Sequence, residues 1–200
     1  MPAVRSKSRV GEGVSIPMTK RIVPLANGAS AMELNIDLGA APVPDRRYLA
    51  DMAEVAVDGD TVRLMFAQKK VSGGLRSLVI VTMTSDAINN VIKTIRAFYP
   101  TVIDLANRNG IKPRELSTIS EEPLHTVSLV ANLVAMAQAG RESCVDFYYM
   151  SPWVVKSIRT DQVGDVSVDP ILRVDISTAL LLPMLTKLLE IQSTLPGDVQ

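Results

Sequence analysis

The sequence predicts an α+β protein in which antiparallel sheets are covered by helices, built as two related strand–strand–strand–helix units. Three observations carry this. Several short stretches alternate apolar and polar residues with the period of two of a half-buried strand. Two stretches, Ser85 to Tyr99 and Thr178 to Gln192, set their aliphatic residues along one helical stripe. The order of strand, turn glycine, strand and helix then recurs once along the chain, the mark of an internal repeat.

Residues 1–30 read as a basic mobile arm, with Arg5, Lys7, Arg9, Lys20 and Arg21 against the single acid Glu12. The first sheet-and-helix unit is expected over residues 31–110. It opens with AMELNIDLG, where Met32, Leu34, Ile36 and Leu38 alternate with polar neighbours. The prolines of APVPDRR interrupt it, and YLADMAEVAV begins the main body. Gly59 in DGD suits a tight hairpin turn. The next strand, TVRLMFAQ, places Val62, Leu64 and Phe66 on one face. After the turn VSGGLRS, the run LVIVTMT is apolar enough for a central strand. Thr84, Ser85 and Asp86 supply helix N-cap chemistry, and Ile88, Val91, Ile92, Ile95 and Phe98 form the apolar stripe. Pro100 is expected to end or kink this helix, with the pattern resuming through VIDLANRNG to a stop at Gly110.

The polar, proline-flanked stretch at 111–125 reads as a connector, and residues 126–200 as the second unit. Aligning Ala50 with Ala131 also aligns Gly59 with Gly140 and Phe66 with Phe147. After a longer loop in the second unit, Val81 meets Val174. This register makes Leu129 to Ala137 a strand, although the composition of Thr126 to Gln138 also suits a helix. On Val130-Ala131-Asn132, Val145-Asp146-Phe147, Arg173 to Ser177 and Leu181 to Leu189, the second unit resembles a small uncharacterised bacterial domain family. That family carries the pattern YAN, FxLDFG and RVxMSPxHAKxLLxAL. The first unit resembles it more loosely, and Pro183 stands where the family has a helical residue. The resemblance implies tandem copies of a strand-rich unit with a C-terminal helix, and no activity.

Composition narrows the function classes. Among 200 residues, 21 Lys and Arg balance 21 Asp and Glu, so no global field favours nucleic acid. Aromatics at 4% are too few for a base-stacking platform. The aliphatic surplus points to a subunit interface, so a homo-oligomer, a protein partner or both are expected. One cysteine, no apolar stretch after the basic start and no membrane-length apolar run make the cytoplasm the expected location.

Candidate chemistry is sparse. His125 is the single histidine and stands in the connector with no spaced nucleophile. Cys144 lies in a strand, facing away from Val145 and Phe147, with no base near it in sequence. Gly73-Gly74 lead into a strand rather than the helix a phosphate loop needs. Asp161, Asp165 and Asp169 lack the ligand spacing of a calcium loop. No cofactor, metal or catalytic set is expected. The candidates that remain are Tyr148, Tyr149 and Trp153 as a partner-binding patch, and Arg5, Lys7 and Arg9 as contacts to nucleic acid. The function expected is non-enzymatic protein interaction or assembly, as a structural or adaptor component. A chaperone-like binder of unfolded or partner polypeptides, by analogy with the sheet-and-helix fold of the bacterial export chaperone, is the alternative. A nucleic-acid-associated protein using the basic arm is a further one.

Overall fold

Alternation of apolar and polar residues becomes strand through most of the chain, and the two aliphatic stripes become helices, giving an α+β fold. The computed structural model describes residues 13–24, 28, 30–157 and 164–195. The chain divides into two units, Met1–Pro42 with Met150–Pro170, and Val43–Tyr149 with Ile171–Gln200.

In the first unit, β1 (Val14–Pro24) lies within the stretch read from sequence as an arm. Its Ile16 and Met18 are buried, an alternation that the surrounding basic residues obscured. β1 pairs antiparallel with β2 (Ser30–Ile36) from Met18 onward, and with the start of β10 (Gly164–Ser177) from Val14 to Met18. Pro17 is tolerated because only one side of β1 is paired at that point. Its carbonyl accepts the Asp37 N–H at 3.0 Å, and Asp37 then caps a 3-10 turn at Leu38–Ala40 by accepting from the Gly39 N–H. A short helix, α2 (Pro152–Ser157), falls in what the sequence showed as a loop.

The second unit carries two sheets. One has the order β4 (Met52–Asp58), β5 (Thr61–Lys69), β6 (Leu75–Thr84), β7 (Thr126–Val130), antiparallel except that β6 and β7 run parallel. In the other, β8 (Leu133–Ala139) pairs antiparallel with β9 (Glu142–Tyr149), β9 neighbours β10, and β10 pairs in parallel with β3 (Arg47–Leu49) at Arg173–Asp175. Helices α1 (Ser85–Arg108) and α3 (Thr178–Ile191) pack on each other and on the sheets. Between them lies one core that includes Leu64, Phe66, Val81, Ile88, Ile92, Ile95, Val145, Phe147, Val174, Leu181 and Leu185. Phe66 and Phe147 meet edge to face with ring centroids 5.8 Å apart, an arrangement worth about 1 kcal/mol beyond area burial.

Two expectations change. The helix from Ser85 runs through Pro100 to Arg108. Pro100 sits on the exposed side and removes a single N–H, while the apolar stripe continues with buried Val102 and Ala106. Thr126 to Gln138 is extended, but as two strands rather than one. The break falls where the chain leaves one sheet for the other: the Ala131 N–H bonds to the Thr82 carbonyl and the Asn132 N–H to that of Tyr148. Ala131, at that crossing, is buried.

Candidate functional site

β9 and β10 alternate as strands must, so Cys144, Asp146, Tyr148, Arg173 and Asp175 fall on the sheet face away from Phe147 and Val174. The Arg173 guanidinium meets the Asp146 carboxylate through two parallel bonds of 2.6 Å, and Arg47 reaches Asp175 at 2.9 Å. This fork-to-carboxylate geometry is the strong form of the ion pair. Burial pushes the Tyr148 phenol up to about 12, with the Asp146 charge acting in the same direction. Desolvation also raises the Cys144 thiol, partly offset by Arg173. The charges therefore neutralise one another, and the cysteine is held as a thiol rather than a nucleophilic thiolate. The cluster fastens strands together.

The other residues singled out in the sequence spread widely. Tyr148 is buried at 2% exposure, so it does not present the surface expected of it, and Tyr149 is half-buried. Alternation explains this, because the β9 face that carries Tyr148 also carries the buried Asp146. Trp153 is 75% exposed on α2, in the first unit, so the three aromatics do not share one unit. Arg5, Lys7, Arg9 and Asp161 lie outside the described residues. His125 is exposed and contributes its backbone carbonyl to the Leu78 N–H. Gly73 and Gly74 take positive φ in a hairpin turn, where the Gly73 N–H is already spent on the Lys70 carbonyl. Among the described residues no group of three His, Cys, Asp or Glu side chains could hold a metal ion. No described helix is long and apolar enough to cross a membrane.

A concave site forms elsewhere. On either side of Pro100, α1 turns Tyr99, Ile103 and Ala106 toward α3, which answers with Leu182, Pro183 and Thr186. Ile111, Pro113 and Leu116 of the connector close a third wall, leaving an open groove of about 510 Å³. The Tyr99 and Thr186 hydroxyls bond at 2.7 Å across its floor, and the Lys187–Glu190 ion pair stands on its rim at 3.4 Å. Pro183 sets the third wall. Having no N–H, it leaves the Ala179 carbonyl without its helical partner, and the Arg114 N–H of the connector takes that carbonyl at 2.8 Å. A second tie joins the Ile119 N–H to the Glu54 carboxylate on β4. The connector is thus a docked strap carrying half-buried Ile111 and Leu116.

The groove escapes sequence reading because its residues come from three separated segments. The one local signal is the apolar spacing of Ile111 and Leu116 inside a stretch otherwise rich in charge. No protein-family model, no curated protein and no solved structure matches this chain.

Proposed function

We propose that the protein is a non-enzymatic interaction or assembly component that holds an apolar segment, from a partner polypeptide or a second copy of itself, in the groove between α1 and α3. The groove itself carries this reading. Its walls are mostly apolar, Tyr99 is paired with Thr186 and Lys187 with Glu190, and concave apolar sites of this size with few convergent polar groups are the usual binding sites of proteins.

Ile103→Glu places a carboxylate in the groove wall at a half-buried position. Light scattering of the purified chain, with and without cell extract, is expected to show a complex heavier than one chain that Ile103→Glu dissolves while its melting curve stays cooperative. A wild-type chain that is monomeric alone and unchanged in extract would remove the proposal. So would a complex indifferent to Ile103→Glu.

A further inference from the structure

In the second unit each sheet borrows one strand. β4, β5, β6 and α1 follow one another along the chain, yet their sheet is completed by β7, which leads into β8. β8, β9, β10 and α3 follow one another likewise, and β3, which leads into β4, pairs with β10. Both borrowed strands run parallel to the strand they join, and in one register: Val81 stands beside Leu129 where Val174 stands beside Tyr48. At the crossings the Ala50 N–H bonds to the Asp175 carbonyl and the Asp51 N–H to that of Ala67. The Ala131 N–H bonds to Thr82 and the Asn132 N–H to Tyr148 in the same way. Each pair of donors is offset by the spacing that brings Gly59 onto Gly140 and Phe66 onto Phe147.

The correspondence extends to the turns. Gly59 and Gly140 both take φ +61° at the first position of a two-residue hairpin turn. The carbonyl of the next residue then receives the first helical N–H: Ser85 to Asp60 at 2.8 Å, Thr178 to Arg141 at 3.0 Å. The same two hydroxyls reach back to the same turns, Ser85 to the Asp60 carbonyl and Thr178 to that of Gly140. The helices also reach across, α1 touching β8 and α3 touching β4. Phe66 and Phe147 are the one corresponding aromatic pair, and they touch each other. Contact between corresponding residues is what a two-fold relation produces on its axis.

We infer that this unit is a dimer within one chain: two copies of one element that bind by exchanging leading strands. The interaction surface is the open edge of each element's last strand, at Ile80–Thr82 and Arg173–Asp175. The partner it fits is the leading strand of a like element, added by strand augmentation. The inference stands independently of any role for the groove.

The full chain tests it, with Cys144→Ser as background and a protease site inserted between the exposed Glu121 and Glu122. Two cysteine pairs, Leu49→Cys with Asp175→Cys and Thr82→Cys with Val130→Cys, are treated with a short thiol cross-linker. After cleavage both are expected to hold the two fragments together in denaturing gels. Leu49→Cys with Thr82→Cys lies wholly on the first fragment and is the control that leaves them free. Fragments that separate in either of the first two pairs would overturn strand exchange. Equivalence of the elements is read separately, without cleavage. Ser85→Ala and Thr178→Ala are each expected to lower the melting temperature, Thr178→Ala by more because its hydroxyl also bonds Ser143, and Ser85→Thr and Thr178→Ser to retain it. A loss at one position alone would overturn the repeat.

Discussion

Gln138 offers the sharpest stability test. It follows Val134 and Met136 on the inward face of β8 and stands across from Ser143. Both polar atoms of its amide are buried, and neither has a partner among the described residues. Ser143 is engaged with Thr178 at 2.8 Å, which leaves Gln138 no hydroxyl opposite. A buried amide left unpaired costs about 1–3 kcal/mol. Because the residue as a whole is only half-buried, the lower part of that range, about 1–2 kcal/mol, is expected. Gln138→Met conserves volume and removes the polar atoms, so it should stabilise by that amount. For a chain of this size this is a rise in melting temperature of about 2–8 °C. Thermal unfolding followed by circular dichroism, with urea titration as a second measure, reads it directly. In the β4–β5 hairpin, the position at the same distance from a two-residue turn carries Val57 beside Val62, so an apolar residue is compatible with such a turn. A Gln138→Met chain no more stable than the wild type would show that the amide is satisfied in solution and refute the reasoning.

Three further outcomes follow from the same structure. Tyr148 keeps its neutral phenol to about pH 12 when folded but loses its proton near 10.0 when unfolded, so stability should fall as pH rises from 10 to 12. Tyr148→Phe should remove that part of the decline in urea titrations, and an identical decline in the variant would contradict the assignment. Pro183→Ala restores an N–H that competes for the Ala179 carbonyl, so amide exchange at Arg114 should accelerate; unchanged protection there would mean the strap is held otherwise. Asp146→Ala strands the largely buried Arg173 guanidinium and should cost about 3 kcal/mol, whereas Asp146→Leu with Arg173→Met should recover most of it. A double variant as unstable as the single one would mean that the charges themselves are required.

The strands and helices were legible because their signals are local. Val62, Leu64 and Phe66 alternate, and Ile88, Ile92 and Ile95 repeat at helical spacing, and all six are buried. Alternation also placed Cys144 opposite Phe147. What the sequence left hidden depends on distant partners. Tyr148 looked exposed because nothing near it in sequence says that its face of β9 is covered. Pro100 reads in the sequence as a place where the helix ends or kinks, and the helix does not end there because the packing of α1 leaves that position exposed. Pro183 gave no hint of its role, which exists only once the Arg114 N–H has found the Ala179 carbonyl. The groove shares this character, since Ile103, Leu116 and Leu182 are neighbours only in the folded chain.

The binding claim is tested most directly by a photo-reactive side chain placed at Asn107, exposed on the groove wall, and in parallel at Asp86, exposed on the first turn of the same helix. Irradiation in cells should give a discrete adduct, with a partner or with a second copy, from position 107 and none from position 86. Equal labelling at both positions, or none at 107, would contradict the account.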